Sequence, residues 1–328
     1  YLAMALIIMG VGFLKANISS IVGQLYADQD PRRDPGFTLY YYGINLGAFW
    51  AGIACGWLGE NWGWNWGFGA AGVGMLAGYV VFVMGKPLLE GKGEPPNPEG
   101  LAAPVMGPIN GEWLIYVLGL VGVGAVWWFL QLNNTVTYPL PVLGIEVTTL
   151  FLLLTAGSLG VLAYFFFYML THFTWVETQR MILALVLISA SVVFWALFEQ
   201  AGSTLNLFAE SNTQLNVMGA DIAVAQTQSY NPLFILLMAP AFSALWAYLG
   251  ARGVDPRPAE KFGIALVQAG LGFIVLVWGA SFADESFRVP QMFLILAYLI
   301  HTTGELCISP VGLSQMTRLA PSIVVSTV

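Results

Sequence analysis

The most informative feature of this sequence is its set of long apolar segments. Nine segments contain 18 residues or more, and a helix of ~20 residues crosses a hydrocarbon core. Only 9% of the 328 residues are charged, whereas soluble domains contain about 25%. The sequence therefore predicts an all-α polytopic membrane protein embedded in a lipid bilayer. The segments lie at about 1–26, 36–57, 66–85, 112–131, 145–170, 180–202, 231–250, 261–282 and 289–313.

The basic residues predict which loops face the cytoplasm. With nine alternating crossings, one side of the membrane receives nine of the eleven lysines and arginines. These nine are Arg32, Arg33, Lys86, Lys92, Arg180, Arg252, Arg257, Lys261 and Arg318. The opposite side receives Arg288, and Lys15 lies within a segment. Because basic loops stay on the cytoplasmic side, we expect the first set of loops to be cytoplasmic.

Two stretches interrupt the apolar pattern. Residues 86–111 are rich in proline and glycine and predict a cytoplasmic linker. Residues 203–230 are the longest polar stretch on the other side and predict an external loop. The chain starts at Tyr1 within one segment and stops in SIVVSTV, where another begins, so we expect an internal fragment of a longer protein.

The sequence offers little for catalysis or metal binding. Cys55 and Cys307 lie in different segments, and His172 and His301 are far apart in the chain. It contains no HExxH, CxxC or GxSxG motif. We therefore expect no catalytic residues, no bound metal, no organic cofactor and no nucleic-acid partner.

Three ionisable residues within the segments are more informative: Lys15, Glu199 and Glu305. An acidic residue at the centre of a membrane helix costs about 2.5–3.5 kcal/mol. Such a residue is either an end charge whose side chain reaches the interface or a group that faces a cavity on an ion or substrate path.

Neighbours at helical spacing favour a cavity. Trp195 lies one turn before Glu199, while His301, Glu305 and Ser309 follow each other at i, i+4 and i+8. Small residues close to each charge permit close helix approach or a break in the helix. The pattern predicts a polar pocket with an aromatic wall.

A fourth polar segment is GFTLYYYGINLGAFW, in which Asn45 lies one turn from Tyr41 and Tyr42. An asparagine in a span either joins helices through a hydrogen bond, worth on the order of 1 kcal/mol, or belongs to a site. Tyrosines either lie at the membrane interface or line a pocket. The residues themselves leave both interpretations open.

Several motifs together resemble one family. GVGFLKANIS, DPRRDPGFTLYYYGINLGAF and CGWLGENWGWNWGFGAAGVGM resemble the fourth to sixth helices of the bacterial proton-dependent oligopeptide transporters, in the major facilitator superfamily. FWALFEQAGSTLNLFAE, NPLFILLMAP and GELCISPVGLS resemble its seventh, eighth and tenth helices. Ala16 and Ala48 depart from the family pattern: a proline is usual at the first position, and a serine is frequent at the second.

The resemblance implies a partial major facilitator fold. Residues 1–85 would end the N-terminal six-helix half, and 86–111 would be the linker. Residues 112–170 would form the inserted helical hairpin of bacterial members. Residues 171–328 would start the C-terminal half, with family helices seven to ten and the beginning of the eleventh.

The resemblance also implies a function. The protein would be a monomeric proton-coupled symporter of the cell inner (plasma) membrane that imports di- and tripeptides by alternating access. Lys15 would meet the peptide carboxylate or take part in proton coupling. Glu305 would bind the peptide amino terminus and pair with Lys15, and Glu199 would be the proton-responsive acid of the outer gate. The remaining substrate-binding residues would be Asn45 and Asn231, on the peptide backbone, and Tyr41 and Trp195, which line the pocket.

Two other functions remain as alternatives. A related transporter could carry nitrate or another small metabolite, although the opposite charges of Lys15 and Glu305 favour a zwitterionic substrate. An intramembrane enzyme would need a nucleophile–base pair or metal ligands, and the candidate residues do not have that spacing.

Overall fold

A computed structural model describes residues 1–26, 33–95, 97–107, 109–140, 144–217 and 219–319. Arg32 and residues 320–328, which include the SIVVSTV stretch expected to begin the eleventh family helix, lie outside these residues.

Helices make up most of the described chain. The α-helices are α1 (Leu2–Gln24), α2 (Arg33–Trp62), α3 (Trp64–Gly85), α4 (Pro98–Ala102), α5 (Gly111–Thr135), α6 (Thr149–Thr171), α7 (Trp175–Phe198), α8 (Thr204–Asn212), α9 (Tyr230–Ala251), α10 (Pro258–Gly279) and α11 (Gln291–Leu319). The 3-10 helices are Lys86–Leu89, Glu199–Gly202, Val224–Ser229 and Ala280–Phe282.

The long helices coincide with the predicted apolar segments, which confirms the all-α membrane fold. Within the described residues, seven spans are long and apolar enough to cross a membrane. They are Trp64–Leu89, Gly111–Asn133, Thr149–Thr171, Trp175–Asn212, Val224–Ala251, Pro258–Phe282 and Gln291–Ser309. The first helix contributes a shorter apolar stretch, Leu2–Lys15. The second helix falls outside this set and carries Tyr40, Tyr41, Tyr42 and Asn45.

Short strands occur only between helices in the described chain. β1 (Pro104–Met106) pairs antiparallel with β2 (Ile109–Asn110), and β3 (Thr137–Leu140) pairs antiparallel with β4 (Ile145–Thr148). β6 (Asn216–Val217) and β7 (Ala220–Asp221) form a third antiparallel pair. β5 (Thr213–Gln214) runs parallel to β8 (Val289–Pro290).

The chain forms two compact units, and the first contains the described residues of 1–38 and 81–168. In this unit α1 packs against α5, where Gly122 leaves room for Met9. The predicted segment at 145–170 begins as strand β4, and its helix starts only at Thr149. The β-branched residues at 145, 147 and 148 favour this strand pairing with β3.

The second unit contains residues 39–80 and the described residues from 169 onward. Its central element is α11, which packs against α7, α9 and α10. One apolar core joins α7, α10 and α11 through Leu187, Phe194, Phe262, Ala265, Ala269, Cys307 and Ile308. A second core joins α8, α10 and α11 through Leu205, Ala209, Leu276, Phe293, Leu294, Ala297 and Tyr298.

The stretch 203–230, predicted to be an external loop, is mostly ordered secondary structure. Its first part is α8, whose Leu205 and Ala209 are buried in the second core. Its last part is the 3-10 helix Val224–Ser229, which leads directly into α9 and lengthens that span to Val224–Ala251. Asn231 therefore lies inside a span rather than at its beginning.

Candidate functional site

The candidate site is built on α11. In an 18-residue stretch of the span Gln291–Ser309, 61% of the residues are buried, whereas the corresponding stretches of the other spans are between 0% and 33% buried. This burial keeps the turn that carries Thr302 and Glu305 away from lipid. Glu305 itself is only 7% exposed, so its carboxyl group needs partners within the protein.

Two other helices supply those partners. The Asn231 side-chain amide of α9 donates from Nδ2 to Glu305 Oε2 at 2.9 Å. The Tyr41 hydroxyl of α2 donates to Glu305 Oε1 over a longer distance of 3.4 Å. Both carboxyl oxygens therefore accept a hydrogen bond, as a buried acid requires.

The position of Asn231 follows from the start of α9. The 3-10 helix ends at Ser229, the regular helix begins at Tyr230, and Pro232 occupies its first turn, where a missing N–H costs nothing. The same Nδ2 atom also donates to Thr302 Oγ1 at 3.1 Å. The amide is therefore held between two residues that lie one turn apart on α11.

The predicted site residues of α2 have different environments. Tyr41 is 36% exposed and reaches Glu305. Asn45 is 7% exposed, and its Nδ2 donates to the Tyr41 backbone carbonyl of its own helix at 3.0 Å. Since this bond is within one helix, the role of Asn45 on a substrate stays a prediction.

Glu199 lies where α7 stops being a regular helix. The α-helix ends at Phe198, and a 3-10 turn runs from Glu199 to Gly202. The regular helix is therefore interrupted at the charged residue Glu199. Glu199 is exposed. Trp195 is half-buried and packs edge-on against Phe194 and Phe198, with ring centroids 5.5 and 5.2 Å apart.

Two further residues were singled out in the sequence, Lys15 and His301. Lys15 is exposed on α1 and belongs to the first unit. His301 shares a helix with Glu305, but its Nε2 lies 2.9 Å from the Ala269 carbonyl of α10 and its ring packs against Phe273. Within the described residues, no group of three His, Cys, Asp or Glu side chains could hold a metal ion.

Sequence reasoning missed two polar residues of the second unit. One is Thr302, which contacts Asn231. The other is Glu60, whose Oε1 and Oε2 accept the backbone N–H groups of Ala225 and Val224 at 2.6 and 3.0 Å. Glu60 also borders a cavity of about 550 Å³ lined by Gly59, Glu60, Trp64, Asn206, Glu210, Val224 and Ala225. Its only sequence signal is an acid at the end of an apolar segment.

Comparison with known proteins decides the family. The family model described as the POT family matches residues 1–111 and 113–328, which is nearly the whole chain. The chain belongs to the POT family.

Individual members of the POT family agree with this assignment. The chain is 34% identical over 337 residues to peptide transporter YePEPT of Yersinia enterocolitica, covering 98% of this chain and 62% of that protein. It is 32% identical over 323 residues to dipeptide and tripeptide permease A of Edwardsiella piscicida, covering 98% and 61%. The crystal structure of peptide transporter POT in complex with sulfate has a TM-score of 0.76 and 37% identity, covering 99% and 63%.

The chain therefore spans less than two thirds of the length of each of these relatives. The matches also confirm the major facilitator fold expected from the sequence. Together with the seven spans, they identify a multi-pass membrane protein.

Proposed function

We propose that the complete protein is a proton-coupled symporter that imports di- and tripeptides by alternating access. The observation that carries this proposal is the environment of Glu305. A carboxyl group with 7% exposure lies in the most buried span, between donors from α2 and α9. Intramembrane acids in such positions mark substrate or ion paths.

The cluster has the chemistry that a peptide amino terminus requires. An ammonium group is a donor only, so it binds a carboxylate and neutral carbonyl oxygens. Glu305 supplies the carboxylate, and the half-buried Asn231 lies 2.9 Å from it. Tyr41 and Trp195 supply aromatic surface, and Asn45 and Asn231 are the proposed partners of the peptide backbone.

The remaining charged residues complete the proposal. Lys15 binds the peptide carboxylate or takes part in proton coupling, and it pairs with Glu305 when the site closes. Glu199 is the proton-responsive acid of the outer gate, at the point where the regular helix α7 ends. Protons are the coupling ion, and no other cofactor is part of the proposal.

The energetics permit such coupling. A proton that crosses ~100 mV releases about 2.3 kcal/mol. A pH difference of ~1 unit adds about 1.4 kcal/mol. One proton per neutral peptide could therefore support an accumulation of roughly 500-fold.

We place the protein in the inner (plasma) membrane as a monomer, with its basic loops in the cytoplasm.

The first test concerns substrate binding by the full-length protein in proteoliposomes. Glu305→Gln should weaken binding of an unmodified dipeptide by about 1.5–3 kcal/mol, the usual contribution of a charged hydrogen bond. The effect on an N-acetylated dipeptide should be much smaller, because that peptide has no charged amine. Glu210→Gln, which removes a carboxylate from α8, is the matched control. Equal losses for both peptides would contradict the assignment of Glu305.

The second test separates coupling from binding. Glu199→Gln retains the shape of the side chain but removes its titrating charge. Uptake driven by a proton gradient should be abolished, while exchange of peptide between the two sides of loaded vesicles survives in part. Full gradient-driven accumulation by Glu199→Gln would exclude this residue as the coupling acid.

A further inference from the structure

The side-chain amide of Asn231 has a defined orientation. A primary amide has two N–H groups and one carbonyl oxygen. Its Nδ2 atom donates to two acceptors on α11, Thr302 Oγ1 at 3.1 Å and Glu305 Oε2 at 2.9 Å. With both N–H groups bound within the protein, the group of Asn231 that remains for a ligand is the acceptor Oδ1.

Thr302 determines which end of the Asn231 amide, nitrogen or oxygen, faces α11. The Thr302 side chain is fully buried, and its hydroxyl donates to the Tyr298 carbonyl of the preceding turn at 2.7 Å. A hydroxyl has only one proton, so Thr302 Oγ1 can only accept from its second partner. If the amide were reversed, Asn231 Oδ1 would face an oxygen atom that has no proton to offer.

The bond to Glu305 alone would not fix the amide. The terminal torsion of asparagine is broad, and one hydrogen bond leaves the amide plane free to turn. A ligand amine that engages Glu305 also competes with Asn231 for that carboxylate. The bond to Thr302 is unaffected by that competition, because the Thr302 side chain is fully buried.

We propose that Thr302 is a positioning residue that holds the Asn231 amide so that Oδ1 accepts an N–H of the substrate amine. This inference rests on the proposed peptide-binding function, adds Thr302 to that site, and assigns Asn231 to the substrate amine instead of the peptide backbone. A substrate ammonium then donates one N–H to Glu305 and a second to Asn231. Recognition therefore requires at least two N–H groups on the amine, in addition to its positive charge.

Two dipeptides distinguish this requirement from charge recognition. The probes are an unmodified dipeptide and the same dipeptide with an N,N-dimethylated amino terminus, which keeps the charge but has one N–H. Each competes with a radiolabelled dipeptide for the full-length protein. The wild type should prefer the unmodified dipeptide by about tenfold, as expected for one hydrogen bond to a charged group.

Substitutions at positions 302 and 303 then test the role of Thr302. Thr302→Val should reduce the preference to about threefold or less, whereas Thr302→Ser, which keeps the hydroxyl, should restore it. Thr303→Val is the matched control, because the Thr303 hydroxyl donates to the Ile300 carbonyl of the same helix at 2.9 Å. Thr303→Val should retain the wild-type preference. Thr302→Ala provides the same comparison if Thr302→Val does not fold.

Each outcome decides one of the two proposals. A wild-type protein that binds neither dipeptide contradicts the proposed function itself. A wild type that binds both dipeptides equally overturns the acceptor role of Asn231 Oδ1. A wild type that prefers the unmodified dipeptide, with the same preference in Thr302→Val, overturns the positioning role of Thr302 and leaves the proposed function standing.

Discussion

At the scale of single residues, Asp284 organises the turn between α10 and α11. Its Oδ1 accepts the backbone N–H groups of Ser286 and Arg288, each at 2.9 Å. Its Oδ2 accepts from the side chain of Gln214 at 2.9 Å, beside the pairing of β5 with β8. The Arg288 backbone bond and the Gln214 bond hold the pKa of Asp284 below its ordinary value.

This lowered pKa predicts a pH-dependent contribution to stability. The ionised carboxylate stabilises the folded state above the pKa of unfolded aspartate, about 3.9, and this stabilisation is lost as the pH falls through the folded pKa. Asp284→Asn should therefore lower the melting temperature at neutral pH, and the difference from wild type should shrink on acidification. Melting curves of detergent-solubilised protein between about pH 3 and pH 7 measure this. Glu285→Gln is the control, and a pH-independent difference for Asp284→Asn would contradict the expectation.

The residues of the site were only partly predictable from the sequence. Glu305 was found because a carboxyl group in an apolar segment requires compensation. Its contact with Asn231 required knowledge of which helices are neighbours, and helical periodicity carries no such information. Thr302 gave no signal, since a buried threonine in a membrane helix ordinarily bonds only to the preceding turn, as Thr302 also does.

At the scale of elements, α2 packs closely against the 3-10 helix Val224–Ser229. The Ser229 hydroxyl donates to the Phe49 carbonyl at 3.0 Å, and the Gln226 side chain donates to the Ile53 carbonyl at 3.4 Å. At Gly52 a Cβ atom would overlap the Ser229 hydroxyl oxygen. Glycine at this position therefore permits the approach of the two elements.

Two glycines of α2 provide a matched test of this packing. Gly52→Ala should destabilise the protein by about 1–3 kcal/mol, because the added methyl group displaces Ser229 from Phe49. Gly47→Ala should be neutral or stabilising by up to about 1 kcal/mol, since no atom lies within 4 Å of its Cβ position and alanine favours helix. Denaturant titration in detergent measures both changes. Similar effects at the two positions would show that helix propensity, not packing, dominates.

The long helices were largely predictable, because the apolar segments are long enough to cross a hydrocarbon core and longer than ordinary helices of soluble proteins. The exception is 203–230, where polar composition predicted a loop. Its helix α8 depends on Leu205 and Ala209, which are buried against Leu276 and Leu294 from distant segments. Tertiary burial of so few apolar residues is invisible to a count of local composition.

At the scale of the whole molecule, burial is concentrated in the second unit. α11 and its neighbours α7 and α10 share a core, whereas the spans Gly111–Asn133 and Thr149–Thr171 are 0% and 6% buried. The buried core is the part that opens last on unfolding. The two cysteines of the chain sample different parts of the second unit. Cys307 is 1% exposed within the core, and Cys55 on α2 is half-buried.

The different burial of the two cysteines predicts which one is modified first. The modification rate of Cys307 then reports global unfolding. A membrane-permeant maleimide should modify Cys55 more than about tenfold faster than Cys307 in the native protein, because thiol modification requires access. In increasing denaturant the Cys307 rate should rise together with loss of the core, and the two rates should converge once the protein is unfolded. Mass spectrometry of the two cysteine-containing peptides follows each site separately. Cys55→Ser should leave the Cys307 rate unchanged. Equal native rates would mean that the core of α7, α10 and α11 opens without global unfolding.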